Sequence, residues 1–257
     1  MNITNFNNKK NHFNIKTSDK DFVIALAGNP NTGKSTIFNN LTGLRQHTGN
    51  WPGKTVTNAQ GYYDHGGKSF IVVDLPGTYS LLANSTDEIV ARDFICFGKP
   101  DVTIVVADAT NLERNLNLAL QIMEATNTVV LCINLLDEAE KMGITINIDK
   151  LSKELGIPVV GTVARNKIGL TKLKEITFNI ATRKLKPAPY KIIYSVELEK
   201  LISEIALKLI KLLDDELDAR WVAIRLIEGD KTIIKSIEKY LLNKHTKLES
   251  DVASCLK

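Results

Sequence analysis

Short, continuous runs of apolar residues alternate with amphipathic segments along most of the chain. Between residues 21 and 180 the apolar runs are FVIALAG, SFIVVDLP, VTIVVADA, TVVLCINLLD and IPVVGTV. Such uninterrupted, β-branched runs are typical of strands that are buried on both faces. The segments NLERNLNLALQIMEAT and NIDKLSKELG have the spacing of amphipathic helices. This alternation predicts an α/β fold, a doubly wound sheet whose strands are mostly parallel.

Two further patterns complete the predicted architecture. The segment TNAQGYYDH leads into the turn HGGK and predicts one strand antiparallel to SFIVVD. After KLKPAPYKI the pattern is helical only, with a first helix whose apolar stripe has spacings of three and four. The residues of that stripe are Leu198, Leu201, Ile202, Ile205, Leu209 and Leu212. A second helix is predicted between an Asp218 cap and Gly229, and a third from Lys231.

These patterns divide the chain into three predicted segments. An Asn/Lys-rich arm, residues 1–20, is expected to be disordered. The α/β domain covers residues 21–185, and a small all-helical domain covers residues 186–257. The boundary is placed at the proline-containing stretch where strand patterns stop.

Composition narrows the class of protein without identifying it. The 257 residues are 44% apolar and carry a net charge of +4, from 33 basic and 29 acidic residues. No dense run of Lys or Arg argues for nucleic acid as a partner. There is no apolar h-region at the start and no apolar run long enough to span a bilayer, so a soluble chain is expected. The cysteines Cys96, Cys132 and Cys255 have no C-x-x-C spacing and are expected to be free thiols.

The stretch GNPNTGKST carries the first candidate chemistry. It satisfies G-x-x-x-x-G-K-[ST] and lies between a predicted strand and a predicted helix, which is the context a phosphate-binding loop requires. Its backbone N–H groups and the helix N-terminus would face phosphate oxygens. Lys34 would reach the β- and γ-phosphates, and the Ser35 hydroxyl would bind Mg²⁺. The candidate nucleotide-binding residues of this loop are Gly28, Asn29, Pro30, Asn31, Thr32, Gly33, Lys34, Ser35 and Thr36.

A second candidate element follows the run FIVVD. Its residues are Asp74, Leu75, Pro76 and Gly77, which form a D-x-x-G motif. Asp74 would hold a water on Mg²⁺, and Gly77 would present its N–H to the γ-phosphate. Taken alone the motif is weak, because an Asp at a strand end is often a turn former.

The nature of the base is indicated by two later strand ends. Asn134 and Asp137 form N-x-x-D, whose carboxylate can accept from the N1–H and 2-amino groups of guanine. After the last strand, Thr162, Val163 and Ala164 would bring a backbone N–H to the guanine O6. All four elements fall at carboxyl ends of predicted strands, the edge where doubly wound sheets bind ligands. Together they predict a guanine-nucleotide site.

One position departs from a Ras-type GTPase. Thr78 follows Gly77, where such an enzyme carries a water-positioning Gln. Arg45 and Arg92 are the nearest arginines, and neither is an obvious arginine finger. We therefore expect slow intrinsic hydrolysis of the phosphoric anhydride, unless another cation or a partner supplies charge.

The motifs GNPNTGKST, GNWPGKTV, VVDLPGTYSL, NLLDEAEKMGI and RWVAIRLIEGD together resemble the FeoB family of bacterial ferrous-iron transport proteins. The resemblance covers roughly residues 21–245. It implies a GTPase domain and a helical, GDI-like spacer domain at the cytoplasmic face of the inner membrane. It also implies a membrane permease C-terminal to this chain and Fe²⁺ as the transported ion, and it leaves oligomerisation open.

The resemblance also implies roles for particular residues. Thr55 would be the switch threonine that contacts Mg²⁺ and the γ-phosphate, unless it is a plain strand-start residue. Asn31 would bind K⁺ beside the phosphates in place of an arginine finger, unless its side chain only stabilises the loop backbone. With Lys34 and Gly77 these are the candidate catalytic residues; Asp74 and Ser35 complete the Mg²⁺ ligands. The switch residues implied to lie near the nucleotide are Gly53, Lys54, Thr55, Val56 and Thr57.

The last base-binding element differs from the common family pattern. Relatives often carry Ser before the Ala, whereas Val163 stands here and lacks the hydroxyl. This departure bears on how tightly GDP is held. Two other function classes remain open on the sequence alone: an RNA- or ribosome-associated GTPase and a non-catalytic guanine-nucleotide sensor.

Two histidines, two tryptophans and one acidic run are further candidates for a functional role. His47 and His65 have no second ligand at metal-site spacing and are expected to be exposed loop residues. Trp221 is expected in a helical core, and the pattern does not decide whether Trp51 is packed. The acidic run DDELD is expected to be a loop with a helix cap.

Overall fold

A computed structural model of the chain describes residues 13, 15, 21–43, 46–51, 56–82, 85–213 and 216–242. The chain separates into two compact units, residues 1–191 and residues 192–257. The first contains all the described strands, and the second contains described helices only. No described helix is both long and apolar enough to cross a bilayer.

A seven-stranded sheet forms the centre of the first unit. In chain order its strands are β1 (Asp21–Gly28), β2 (Gln46–Asn50), β3 (Thr57–His65), β4 (Lys68–Asp74), β5 (Val102–Asp108), β6 (Val129–Asn134) and β7 (Val159–Gly161). Their spatial order is β2-β3-β4-β1-β5-β6-β7. The strand β3 pairs antiparallel with both β2 and β4, while the pairs formed by β1, β5, β6 and β7 are parallel. Among the described strands β3 alone runs against the rest, which confirms the predicted sheet.

The edge strand β2 was not predicted from the sequence. Its residues QHTGN are polar, and residues 47–50 are exposed. An edge strand with both faces in water has no apolar pattern to reveal it. It forms through backbone pairing with β3, in register from Gln46 opposite Gly61 to Asn50 opposite Thr57.

Helices cover both faces of the sheet. They are α1 (Lys34–Thr42), α2 (Thr86–Phe97), α3 (Leu112–Ala125), α4 (Leu136–Lys141), α5 (Ile148–Leu155) and α6 (Leu170–Ala181). Alternate residues of β1 enter two separate cores, Val23 and Ala25 on one face and Ile24 and Leu26 on the other. The first core includes apolar residues of α2 and α3, and the second includes those of α1 and α6. Burial on both faces explains why the strand patterns are continuous rather than alternating.

The structure differs from the expected disorder of the N-terminal arm at two positions. Ile15 is 1% exposed and belongs to the first core. The Phe13 ring lies edge-on to Phe94 of α2, with centroids 5.2 Å apart, and to Trp51, 6.0 Å apart. Composition is a property of the whole arm, whereas two apolar side chains are enough to fill a gap in a core. The rest of the arm lies outside the described residues.

The second unit is helical, as predicted. Its helices are α7 (Val196–Leu213), α8 (Ala219–Glu228) and α9, residues 231–242. The Asp218 side chain accepts from the Trp221 backbone N–H at 2.8 Å, and Gly229 ends α8 in the left-handed region with φ 69°. Both predicted caps are therefore confirmed, and Trp221 is buried as expected. Of the acidic run DDELD, residues 214–215 lie outside the described residues.

The apolar stripe of α7 is narrower than the sequence predicts. Ile202 is buried in the core of this unit with Ala223 and Ile224 of α8. Leu201 and Leu212, predicted to be part of the stripe, are 43% and 57% exposed. For these two the prediction is wrong. Among the described residues, contact with α8 covers part of the circumference of α7, and spacings of three and four drift around the helix beyond that contact.

Candidate nucleotide-binding site

The GNPNTGKS loop lies at the topological switch point of the sheet. It follows β1, which is flanked by β4 and β5, and α1 begins within it at Lys34. A Cβ atom at Gly28 would lie 2.6 Å from the Val106 backbone oxygen. A Cβ atom at Gly33, where φ is +81°, would lie 2.3 Å from Nδ2 of Asn134. Neither position can accept a side chain, so both glycines are required by the close approach of neighbouring groups.

The loop is held by its own side chains and left open to one side. The Thr32 hydroxyl donates to the Asn29 backbone oxygen at 2.9 Å. The Asn29 side chain is buried, and its Oδ1 atom has no hydrogen-bond partner. Asn31 is exposed and lies in the left-handed region with φ 67°, and Pro30, Ser35 and Thr36 are exposed as well. The loop thus combines a fixed backbone with side chains accessible from outside.

Lys34 and Asp74 form an ion pair at this edge of the sheet. Lys34 begins α1 and Asp74 ends β4, and both are mostly buried, so the tertiary fold joins two motifs that are 40 residues apart. Burial raises the pKa of the Asp74 carboxyl above its usual value, and the charge of Lys34 opposes that rise. Burial alone would favour the neutral acid form of Asp74, and the charge of Lys34 stabilises its carboxylate form instead.

The D-x-x-G segment is docked on the phosphate-binding loop. The Leu75 N–H donates to the Leu26 oxygen at 3.0 Å, and the Thr78 N–H donates to the Gly28 oxygen at 3.2 Å. A Cβ atom on Gly77 would lie 3.3 Å from Cγ of Pro30. A side chain at position 77 would therefore press on Pro30, which would have to shift slightly to admit it. Pro76 occupies the same segment.

Thr78 does not present its side chain as a water-positioning group. It is 1% exposed, and its hydroxyl donates to the Ser80 backbone oxygen at 2.7 Å. Arg92, one of the two arginines considered from the sequence, is buried in α2 and paired with Asp93 at 2.8 Å. Arg45 lies outside the described residues. The described part of the site thus contains neither a Gln at this position nor an accessible Arg92.

Asn134 connects the phosphate-binding loop to the turn that follows β7. It is 1% exposed and ends β6. Its amide donates to the Thr32 backbone oxygen at 3.0 Å, and its Oδ1 accepts from the Ala164 N–H at 3.0 Å and the Thr162 hydroxyl at 3.1 Å. Asn40 of α1 adds a hydrogen bond to the Ala164 oxygen at 2.8 Å. This connecting role was not inferred from the sequence, and no local pattern marks Asn40.

Asp137 lies in the first turn of α4, beside the same turn. Its Oδ1 atom is buried without a hydrogen-bond partner, and its Oδ2 atom is ion-paired with Arg165. Arg165 also lies 2.9 Å from Glu138. Val163 is buried, and its N–H donates to the Ile168 oxygen at 3.2 Å, which closes the turn. Sequence reasoning missed Arg165, whose only signal is its position directly after Ala164.

The segment that precedes β3 is described only at its ends. Gly53, Lys54 and Thr55 lie outside the described residues, whereas Thr57 is exposed at the start of β3. Val56 is buried, and its oxygen accepts from the Trp51 N–H at 2.9 Å.

Trp51 itself is buried at 3% exposure, with its ring centroid 5.4 Å from that of Phe94. The structure thereby settles the packing that the sequence left undecided.

The remaining candidates are accounted for elsewhere in the fold. His47 lies in β2 and His65 in β3, rather than in loops. The ring centroid of His47 is 6.1 Å from that of Tyr62, and the ring centroid of His65 is 5.6 Å from that of Phe178. The described residues include no group of three His, Cys, Asp or Glu side chains able to hold a metal ion. Cys96 and Cys132 are buried and take part in no disulfide bond, and Cys255 lies outside the described residues.

The glycine-containing loop lies at the switch point of the sheet, and hydrogen bonds join it to the D-x-x-G segment and to Asn134 of N-x-x-D. This arrangement defines a P-loop nucleotide-binding domain with a GTPase fold. The family described as ferrous iron transport protein B matches residues 22–177, and the FeoB cytosolic helical domain matches residues 194–257. The chain belongs to the FeoB family.

Comparisons with individual proteins agree with this assignment. The chain is similar to the Fe(2+) transporter FeoB of Methanocaldococcus jannaschii, with 47% identity over 217 residues, covering 83% of this chain and 32% of that protein. The cytosolic domain of the T. maritima FeoB iron transporter in a GDP form matches with a TM-score of 0.76 and 36% identity, covering 85% of this chain and 86% of that one. Its GMPPNP form matches with a TM-score of 0.76 and 37% identity, covering 84% and 85%. The chain spans about a quarter to a third of the length of the curated relatives it matches.

Proposed function

We propose that this chain binds GTP and hydrolyses it slowly, with Mg²⁺ and stimulation by K⁺, to regulate or drive Fe²⁺ uptake through a membrane permease. The observation that carries the proposal is the partnerless Oδ1 of Asp137, beside the turn after β7 that Asn134 connects to the phosphate-binding loop. A buried carboxylate oxygen without a donor is unfavourable until a ligand supplies one. The N1–H and 2-amino groups of guanine are such donors.

The phosphate end of the site would be served by the loop and by Lys34. Backbone N–H groups at the start of α1 favour anions, and the lysine would shift from Asp74 towards the phosphates when they bind. Asp74 and the exposed Ser35 hydroxyl are oxygen donors of the kind Mg²⁺ prefers, and Thr55 would join them. Bound Mg²⁺ would neutralise charge that develops on the phosphate oxygens.

The described part of the site contains no arginine finger, and K⁺ would supply the positive charge that such an arginine provides in other GTPases. Asn31 is exposed on the phosphate-binding loop and would bind K⁺ through its amide oxygen. Gly77 would present its N–H to the γ-phosphate. Fixed positive charge beside the transferring phosphoryl group lowers the barrier to hydrolysis.

The transport role rests on the relatives. The curated relatives are Fe(2+) transporters several times longer than this chain. A permease C-terminal to this chain would place it at the cytoplasmic face of the bacterial inner membrane, with residues 21–185 as the GTPase domain and residues 186–257 as the helical spacer. Bound GTP would order the segments around Thr55 and Gly77, and hydrolysis would release them. This ordered state would be the signal passed to the permease.

GTP turnover in KCl and in NaCl at equal ionic strength tests the enzymatic part. We expect faster turnover in KCl, with the KCl effect lost in Asn31→Gly. Glycine removes the amide but keeps the left-handed backbone that Asn31 adopts, so this variant separates a ligand from a loop-shaping residue. Asn31→Asp, which retains a side-chain oxygen, serves as the comparison. Equal slow rates in both salts would refute the K⁺ assignment and favour a guanine-nucleotide sensor.

A further inference from the structure

We propose that Arg165 is a positioning residue for the base-binding carboxylate of Asp137, and that it sharpens selection of guanine. The inference rests on the proposed function, because it concerns the base end of the same site. Arg165 lies on the turn after β7, whereas Asp137 and Glu138 lie in the first turn of α4.

The guanidinium of Arg165 bridges two adjacent carboxylates. One nitrogen is paired with Oδ2 of Asp137, and the other lies 2.9 Å from Oε1 of Glu138. The guanidinium is planar and its donors are fixed relative to one another, so simultaneous contact with both groups limits rotation of the Asp137 side chain. It also offsets the repulsion between two neighbouring negative charges.

Fixing Oδ2 decides where the other oxygen points. Oδ1 of Asp137 is buried and has no hydrogen-bond partner. A carboxylate oxygen in that position is unfavourable, and an unrestrained side chain would rotate it towards water. Arg165 opposes that rotation, so the acceptor remains in its buried position before the base arrives. Preorganisation of this kind increases affinity by lowering the cost of ordering on binding.

The same contact is compatible with a bound guanine. Each carboxylate oxygen has two lone pairs, so Oδ2 can accept from Arg165 and from a base donor together. Guanine offers two donors on this edge, N1–H and the 2-amino group, whereas hypoxanthine offers N1–H alone. A carboxylate held in one orientation can meet two donors at once, and a freely rotating one loses most of that advantage. Arg165 should therefore favour GDP over IDP.

Calorimetric titration of GDP and IDP into the chain and into Arg165→Gln tests the proposal. Lys141→Gln is the matched control, because Lys141 is an exposed cation 3.4 Å from Glu138 on the same helix, and the structure pairs it with Glu138 rather than Asp137. We expect Arg165→Gln to raise the Kd for GDP about fivefold, the upper range for a half-exposed ion pair. We expect a smaller rise for IDP, so that the ratio of the two Kd values falls. Lys141→Gln should leave both Kd values and their ratio unchanged.

The outcomes that overturn the proposal are distinct. Unchanged or tighter GDP binding by Arg165→Gln would show that the arginine has no role or competes with the base. An equal rise for GDP and IDP, or the same change in Lys141→Gln, would show a general charge effect. Turnover at saturating GTP should stay within about twofold, because the expected loss lies in ground-state binding. Failure of the unmodified chain to bind GDP would refute the proposed function and this inference together, whereas normal binding with an unaffected variant refutes only the inference.

Discussion

Replacing Asn134 with alanine should weaken the fold and the nucleotide site together. The change removes three hydrogen bonds and leaves two buried backbone groups, the Thr32 oxygen and the Ala164 N–H, without these partners. Each buried group left unpaired costs about 1–3 kcal/mol. A combined loss of about 3 kcal/mol is therefore expected. For a unit of this size that corresponds to a fall in Tm of about 6–12 °C.

The effect on ligand binding follows from the position of these bonds. They hold the phosphate-binding loop and the turn after β7 in their relative places, so their loss separates the two ends of the nucleotide site. We expect the Kd for GDP to rise at least about tenfold, equivalent to about 1.4 kcal/mol. Thermal unfolding followed by circular dichroism and calorimetric titration with GDP measure the two effects.

Asn115→Ala is the matched control for this substitution. Asn115 is also buried, and its amide donates to the Asn111 oxygen at 2.8 Å within the start of α3. We expect a loss of about 1 kcal/mol and an unchanged Kd for GDP. If Asn134→Ala unfolds at the same temperature as Asn115→Ala and binds GDP normally, the reasoning about Asn134 is refuted.

Three further predictions concern separate parts of the chain. Gly33→Ala should bind GDP at least about tenfold more weakly, because the added Cβ would lie 2.3 Å from a side-chain nitrogen; normal affinity by calorimetry would contradict this. Phe13→Ala should lower the Tm by about 4–8 °C through lost packing on Trp51, and an unchanged Tm would show that the arm adds no stability. Hydrogen bonds from Arg220 lower the pKa of Glu199 to about 2, so the stability they provide is present above the ordinary value of 4.5 and is lost as the pH falls to about 2. Glu199→Gln should therefore lower the urea midpoint at pH 7 but not at pH 2, and an equal deficit at both would refute the assignment.

The amino-acid sequence alone determined the elements whose signals are local. Continuous apolar runs marked the buried strands, and the single reversed strand β3 was predicted with its observed bounds, Thr57–His65. The Asp218 and Gly229 caps of α8 were also predicted, because a cap depends on residues within a turn of the helix end. The motif letters likewise placed the phosphate-binding loop between strand and helix.

Tertiary structure decided everything that depends on contact between distant segments. The edge strand β2 exists because β3 pairs with it, and Leu201 is exposed because the described helices that pack on α7 leave that side of it uncovered. Asn134 acquires its connecting role only when β6, the loop after β1 and the turn after β7 meet at one edge of the sheet. Arg165 contacts Asp137 for the same reason, because the turn after β7 lies beside the helix that follows β6. Periodicity and motif spacing describe what each segment prefers by itself, whereas these contacts arise from how the sheet brings its strand ends together.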